Sequence, residues 1–252
     1  MTLWTFLAVA VAGAACGVVN SVAGGGSLIL FPVLLLTGLK PLDANVTNSV
    51  STWAGYVGGV GGFRTEIRAN RSMLPRFVVA TLAGSTLGCV LLLVTPNEAF
   101  DVIVPWLVLG ATGLTALQPV VRNRLQDRSG LTNQPNAAAV VGVFLATIYG
   151  GYFGGGLGVM VLAVLGVTVR DTLRNLNASK AVISLVDATV SVAVFGIFGP
   201  VHWDYVAVAA PTTLLGGYAG AAIARRLDER VLRACVIVVG LGVSIYLFVR
   251  SL

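Results

Sequence analysis

The sequence predicts an all-helical integral membrane protein built from two five-segment halves of inverted topology. The first observation is composition, because 56% of the 252 residues are hydrophobic and only 10% are charged, with a mean hydropathy of +0.90. Soluble domains carry about 25% charged residues, so little of this chain can form a soluble domain. The second observation is a series of ten apolar segments, and the third is a Gly-Gly-Gly triplet in each half of the chain.

Two of the ten apolar segments are unusually short. The segments cover about 2–22, 27–39, 44–63, 77–95, 102–121, 137–153, 157–169, 175–198, 205–224 and 234–249. The first is expected to be a membrane segment rather than a cleaved signal, because its apolar run continues past Cys16 and no basic residue precedes it. The 13 residues of 27–39 and of 157–169 would reach about 20 Å, which is short of a hydrocarbon core of about 30 Å. Each begins directly after a glycine triplet and is predicted to be a half-height helix.

Basic residues predict the orientation of these segments. Thirteen of the sixteen lie in four loops, at 64–76, 122–136, 170–174 and 225–233. Threading ten segments places these loops on one side, which the positive-inside rule identifies as cytoplasmic. Both termini would then face outward across the cytoplasmic (inner) membrane. The net charge of +6 is therefore attributed to loop charges, and nucleic acid is not an expected partner.

Internal similarity divides the chain into two repeats joined by a linker. The first repeat is placed at 1–121, the basic cytoplasmic linker at 122–136 and the second repeat at 137–252. Gly24–Gly26 matches Gly154–Gly156, and Thr47–Ser49 matches Asn177–Ser179. Five segments per half is an odd number, so the second half enters the membrane from the opposite face. Inverted repeats of this kind are frequent in secondary transporters.

Each half is expected to open with a helical hairpin broken by glycines, and the two tips are expected to meet near the midplane. At a tip, the short helix would present unpaired backbone N–H groups and the positive end of its dipole. Such helix N-termini bind small anions, and glycine lets a ligand approach the backbone closely. The predicted tip residues are Gly24, Gly25, Gly26, Gly154, Gly155 and Gly156. The alternative is close helix packing, which we expect for the other clusters, Gly58, Gly59, Gly61, Gly62, Gly216, Gly217 and Gly220.

Polar side chains near the triplets are candidates for binding an anion. Hydroxyl and amide groups supply donors that replace the hydration of an oxyanion, although they also form ordinary interhelical hydrogen bonds. The candidates are Asn20, Ser27, Thr47, Asn48, Ser49, Tyr149, Asn177 and Ser179.

Lys180 and Asp187 are ionisable residues inside a predicted membrane segment, where charges are costly and usually functional. They stand seven residues apart, which places them on nearly the same helical face. Lys180 is a candidate anion-binding residue, with snorkelling to the cytoplasmic interface as the alternative. Asp187 is a candidate proton-coupling carboxyl, with a structural hydrogen-bonded acid as the alternative. No nucleophile–base set or metal-ligand cluster is evident, so we expect neither an enzyme nor a cofactor.

The stretches "AGGGSLILFPVLLLTGLKPLDANVTNS" and "YGGYFGGGLGVMVLAVLGV", followed by "RNLNASKAVISLVDATVSVAVFGIFGPVHW", resemble the TauE/SafE (TSUP) sulfite-exporter family. The resemblance covers essentially the whole chain, with both halves in order. It implies a polytopic inner-membrane carrier of sulfite, thiosulfate or organosulfonate anions. It also implies that the motif positions are Gly24–Gly26, Thr47, Asn48 and Ser49, and in the second half Gly154–Gly156, Asn177, Ser179 and Lys180.

The expected function is secondary transport of small sulfur-containing anions, in the direction of export. The alternatives are a carrier of another small organic anion, an anion channel and a membrane assembly factor that transports nothing. The expected partners are the anion and the lipid bilayer, and the sequence leaves open whether protons are the coupling ion and whether the chain forms a homodimer.

Overall fold

The computed structural model describes residues 2–22, 24–69, 71–125, 136–223 and 229–251, and in these ranges the chain is helical without β-strands. The first helices are α1 (Leu3–Val22), α2 (Ser27–Leu36), α3 (Pro41–Gly62), α4 (Arg64–Ala69), α5 (Leu74–Val94) and α6 (Asn97–Leu125). They are followed by α7 (Ala137–Tyr152), α8 (Leu157–Thr168), α9 (Leu173–Phe198), α10 (Trp203–Ile223) and α11 (Glu229–Ser251). The ten predicted segments are confirmed as helices, and α4 is an additional short helix in the first basic loop.

Helix lengths and hydropathy agree with a multi-pass membrane protein. Within the described ranges, five helices are long and apolar enough to cross a membrane: α1, α5, α6, α9 and α11. The apolar helices α2, α7 and α8 are shorter, with 10, 16 and 12 residues. Of the predicted basic linker at 122–136, the first four residues continue α6, and 126–135 lie outside the described residues.

Helix packing brings the two parts of the chain together rather than leaving them as separate bundles. α1 and α3 pack against α10, and α7 and α9 pack against α5. α2 contacts α11, α8 contacts α6, and α3 contacts α9. The core between these helices contains Leu28, Phe31, Phe100, Phe153 and Phe195, all essentially inaccessible to solvent. Elements from both ends of the sequence therefore surround the region where α3 meets α9.

Close approach of α1, α3 and α10 depends on small residues. A Cβ on Gly217 would overlap the backbone carbonyl of Gly55, and one on Gly216 would overlap that of Ala14. A Cβ on Gly58 would lie 2.8 Å from the carbonyl oxygen of Leu214. The prediction that these glycines allow close helix packing is confirmed for Gly58, Gly216 and Gly217. It is not confirmed for Gly61, where a Cβ would meet no atom within 4 Å.

Gly217→Ala is expected to destabilise the fold, because the added methyl forces α10 away from α3. An overpacked core loses about 1–3 kcal/mol, so the melting temperature in detergent should fall clearly. Gly110→Ala is the matched control, because a Cβ there meets nothing within 4 Å and alanine favours the helix over glycine. Equal melting temperatures for the two variants would contradict this packing.

Two charged contacts also join the early and late helices. Arg174 at the start of α9 pairs with Glu66 on α4, with 2.5 Å between Nε and Oε1. His202, between α9 and α10, approaches Asp43 in the first turn of α3, with 3.4 Å between Nε2 and Oδ2. One contact lies at the N-terminal end of α3 and the other at the N-terminal end of α9, so both ends of the α3–α9 pair are linked.

Candidate functional site

The first glycine triplet forms the connection between α1 and α2. Gly24 and Gly25 have φ of +79° and +85°, a left-handed conformation that side chains other than glycine rarely adopt. Asn20 fixes the turn, because its Oδ1 accepts a 2.8 Å hydrogen bond from the backbone N–H of Gly26. A Cβ on Gly26 would overlap the carbonyl oxygen of Cys16, so this position accepts only glycine without rearrangement. Asn20 thus positions the break.

The second triplet forms the connection between α7 and α8. Gly156 caps α8 with a φ of +85°. The Tyr149 hydroxyl donates a 2.8 Å hydrogen bond to the carbonyl oxygen of Gly155. Tyr149 therefore positions the second break much as Asn20 positions the first. Gly26 and Gly156, the residues at the N-termini of α2 and α8, have no side chains to cap these helices. Apart from the Asn20 bond to the N–H of Gly26, the positive ends of both short helices are left at the breaks.

The two breaks contact one another through the helices that follow them. A Cβ on Gly24 would lie 2.9 Å from the backbone nitrogen of Val159, and one on Gly158 would lie 3.2 Å from the Cα of Gly24. On the other side, the rings of Phe31 and Phe153 pack edge to face, with centroids 5.5 Å apart. The starts of α2 and α8 are therefore neighbours.

Each break is also faced by the long helix of the other part of the chain. Lys180 of α9 is 2% exposed, and its Nζ donates a 3.1 Å hydrogen bond to the carbonyl oxygen of Asn20. A Cβ on Gly154 would lie 3.0 Å from the Ser49 Oγ and 3.9 Å from the Asn48 Nδ2, both on α3. The structure thus brings Lys180 of α9 to the first break and Asn48 and Ser49 of α3 to the second. We call the region enclosed by the two breaks, α3 and α9 the central site.

Several polar atoms on α3 and α9 are buried without a hydrogen bond within the described part of the chain. They are Oδ1 of Asn45 and Asn48 and the hydroxyls of Ser51, Ser179 and Ser184. Elsewhere, buried helix hydroxyls such as those of Thr81 and Ser244 donate to the carbonyl four residues earlier. Buried polar groups nearly always have partners, so these atoms are candidates for contact with a polar ligand.

The remaining predicted residues have different surroundings. Thr47 is fully buried, but its Oγ1 accepts a 3.1 Å hydrogen bond from the backbone N–H of His202, at the end of α3 near Asp43. Ser49 donates to the carbonyl oxygen of Asn45 at 3.0 Å. Ser27 is buried as the first residue of α2, and its hydroxyl interacts with that of Tyr56. Asn177 is partly buried in the second turn of α9.

Asp187 lies on α9 beyond Lys180 and is 4% exposed. The Ser85 hydroxyl of α5 donates a 2.5 Å hydrogen bond to its Oδ1. A Cβ on Gly150 of α7 would lie 2.9 Å from the same oxygen, so glycine at that position leaves room for the carboxyl group. Tyr56 and Cys89 lie within electrostatic range of Asp187. Sequence reasoning missed Ser85, Tyr56 and Gly150, and only Gly150 had a signal, as part of the glycine-rich stretch before the second break.

Comparison with known proteins places the chain in a family. The chain matches the family described as "Sulfite exporter TauE/SafE" over residues 9–247. It is 25% identical over 247 residues to "Probable membrane transporter protein ORF9" from Sinorhizobium sp, covering 94% of this chain and 90% of the relative. It is 28% identical over 221 residues to a "Probable membrane transporter protein" from Haemophilus influenzae, covering 87% and 85%.

A further relative, "Probable membrane transporter protein YfcA" from Escherichia coli strain K12, is 26% identical over 240 residues, covering 93% of this chain and 86% of that protein. No solved structure matches the chain. The family match extends over nearly the whole sequence, and the relatives are named as transporters rather than enzymes. The chain therefore belongs to the sulfite exporter TauE/SafE family of membrane transporters.

Proposed function

We propose that this protein is a secondary carrier that moves small sulfur-containing anions, such as sulfite, thiosulfate or an organosulfonate, out across the cytoplasmic membrane. The observation that carries the proposal is the crosswise arrangement of the central site. Lys180 of α9 lies at the first break, and Asn48 and Ser49 of α3 lie at the second. A cationic side chain, amide and hydroxyl groups and two helix N-termini converge there.

This set of groups suits an oxyanion. Lys180 supplies a positive charge, and the ends of α2 and α8 each contribute a partial positive charge of about half a unit. Asn48, Ser51 and Ser179 add polar groups that have unfilled hydrogen-bonding capacity. Charged hydrogen bonds are roughly twice as strong as neutral ones, so we assign the main anion contact to Lys180. The sulfur chemistry rests on the description of the family.

The packing of the helices supports an inverted repeat that opens each half with a glycine-broken hairpin. The proposed repeats match helices in the order α1 with α7, α2 with α8, α3 with α9, α5 with α10 and α6 with α11. With this matching, a contact between two helices recurs between their two counterparts, which we call exchanged pairs. The contact of α1 with α10 corresponds to that of α7 with α5, and the contact of α2 with α11 corresponds to that of α8 with α6. We place the first repeat at 1–121 and the second at 137–252.

Alternating access would then come from rocking of one repeat against the other about the central site. The Glu66–Arg174 and Asp43–His202 contacts join the repeats at the two ends of α3 and α9. The positive-inside rule assigns the loop that carries Glu66 to the cytoplasm and both termini to the outside. The exposed rings of Trp4, Trp106 and Trp203 then form an outer aromatic belt.

Asp187 is the proposed coupling residue. Its carboxyl is buried on the same helix as Lys180. It accepts a hydrogen bond from the Ser85 hydroxyl, and Gly150 leaves room beside it. An interior-negative potential already drives anions outward, at about 2.3 kcal/mol per unit charge per 100 mV. When one proton moves together with a dianion, the pair still carries one net negative charge. The interior-negative potential therefore still favours outward movement of the pair, and proton coupling is compatible with export.

Flux in proteoliposomes tests this function. Purified protein is reconstituted and assayed with sulfite, thiosulfate, sulfate, sulfoacetate, taurine and acetate, with and without a proton gradient. A carrier of sulfur anions gives saturable flux and counterflow for sulfite, thiosulfate or a sulfonate. Ohmic current without counterflow would instead identify a channel, and acetate as the preferred substrate would identify a carrier of other organic anions. Folded protein that moves none of these anions would contradict a transport function.

A further inference from the structure

One face of α9 continues the central site toward Asp187. Lys180, Ser184, Asp187 and Ser191 recur at spacings of four, three and four residues, which places them on one face of the helix. All four are buried, with exposed fractions of 2%, 0%, 4% and 1%. Ser184 therefore lies between the cation that faces the first break and the carboxyl group one turn further along α9.

Ser184 differs from its neighbours on this face in having no hydrogen-bond partner in the described structure. Lys180 donates to the carbonyl oxygen of Asn20, Asp187 accepts from Ser85, and Ser191 lies 3.7 Å from the Cys89 Sγ. Serine hydroxyls on helices usually donate back to the preceding turn, as Ser244 does to the carbonyl oxygen of Gly240. An unbonded, fully buried hydroxyl costs stability, so its position calls for a partner that binds there.

We infer that Ser184 is a positioning residue that couples anion binding in the central site to protonation of Asp187. A hydroxyl has one hydrogen to donate and two lone pairs to accept with. Once protonated, the Asp187 carboxyl would turn to donate to the Ser184 oxygen, a hydrogen bond that the structure does not contain, and the hydrogen of Ser184 would then point to the anion beside Lys180. When the proton leaves, the carboxylate attracts that hydrogen, and the anion loses a donor. No bond other than the carboxyl O–H is made or broken, and the proton that leaves goes to solvent.

The inference rests on the proposed function, and it makes proton and anion binding mutually favourable. By linkage, the factor by which protonation tightens anion binding equals the factor by which the anion favours protonation. Other groups near Asp187 are Lys180 on its own helix, Tyr56 on α3 and Cys89 on α5. Among these, only Lys180 lies with Ser184 on the face of α9 that leads to the first break.

The test is the pH dependence of apparent anion affinity in equilibrium exchange across proteoliposomes, without an imposed gradient. The probe is the anion from the panel that the wild-type protein exchanges fastest. Its own protonation is the same for every variant, so differences between variants report on the protein. We expect wild-type affinity to fall about tenfold from mildly acidic to mildly alkaline pH, the effect of one hydrogen bond. In Ser184→Ala, this change should shrink to twofold or less, as it should in Asp187→Asn.

Two further variants distinguish coupling from a structural role. Ser184→Thr keeps a hydroxyl and should restore the pH dependence, and Ser244→Ala removes a bonded hydroxyl on α11 and should leave it unchanged. Ser184→Ala should not lower the melting temperature, because it removes a hydroxyl without a partner.

An unchanged pH dependence in Ser184→Ala would overturn the inference. So would an affinity that is weakened equally at every pH, because that result assigns Ser184 to simple anion binding. Absence of exchange in the wild-type protein is a different failure, since it contradicts the proposed transport function itself.

Discussion

Lys180→Met should lower apparent anion affinity about 100-fold, the effect expected when a buried charged partner is lost. Methionine has a similar length and fills the space beside Gly158, so the variant removes mainly the charge. The measurement is the concentration dependence of exchange flux in proteoliposomes. A fall of this size would identify Lys180 as the cation of the central site.

Lys180 also joins α9 to the end of α1 through the carbonyl oxygen of Asn20, and this contact needs its own control. Ser21→Ala provides it, because the Ser21 hydroxyl donates a 2.8 Å hydrogen bond from α1 to the carbonyl oxygen of Gly217. That variant loses a neutral hydrogen bond between a side chain and a distant backbone carbonyl, without changing the charge of the site. Its affinity should stay within about threefold of the wild-type value, less than the loss of one full hydrogen bond. Equal losses in both variants would show that Lys180 acts only by holding the helices together.

Asp187→Asn should abolish the response of net flux to an imposed proton gradient while exchange continues. Asparagine keeps an oxygen that accepts from Ser85, so the packing of α5 against α9 should remain intact. The side chain can no longer gain or lose a proton, which removes the coupling step. A drop of about tenfold or more in gradient-driven uptake is expected, as for loss of a proton-transfer group.

Ser85→Ala is the companion variant for Asp187. It keeps the carboxyl group and removes only the donor to Oδ1. Net flux should therefore still respond to a proton gradient. Loss of exchange and gradient response together in Asp187→Asn would indicate a structural acid. A full gradient response in Asp187→Asn would place the coupling group elsewhere.

The sequence was sufficient to predict the helices because each one is a long apolar run bounded by charges, prolines or glycines. The two short helices follow their glycine triplets as predicted, at Ser27 and Leu157. Helix α4 was not predicted, because its six residues carry too little apolar periodicity to distinguish a short helix from a loop. The inverted repeat stays a prediction that the exchanged pairs of helix contacts support.

The contacts of the central site could not be predicted to the same degree. Spacing along one helix places Lys180 and Asp187 on a common face, but it carries no information about which other helix meets that face. The pairings of Lys180 with Asn20 and of Asp187 with Ser85 join residues 160 and 102 positions apart. Tyr149 and Asn20 were predicted to bind the anion, yet their side chains hydrogen-bond to the glycine breaks. Ser184 gave no signal, because a single serine in an apolar helix usually bonds to its own backbone.

The central claim is that the second break and α3 enclose one wall of the anion site, and Gly154→Ala tests it most directly. A methyl group at Gly154 would lie 3.0 Å from the Ser49 Oγ and beside Asn48, in the space assigned to the anion. Gly59→Ala is the matched control, because its methyl would lie 3.3 Å from the Ser21 Oγ, where α3 contacts α1 rather than the second break. Neither position has a left-handed backbone, so neither substitution adds backbone strain.

The measurement is saturable sulfur-anion flux for the two variants side by side, at equal amounts of folded protein in the vesicles. The account predicts that Gly154→Ala lowers flux at least about tenfold, the typical effect of one misplaced methyl group in a binding site. Gly59→Ala should keep flux near the wild-type value. Wild-type flux in Gly154→Ala, or equal losses in both variants, would contradict an anion site between the breaks.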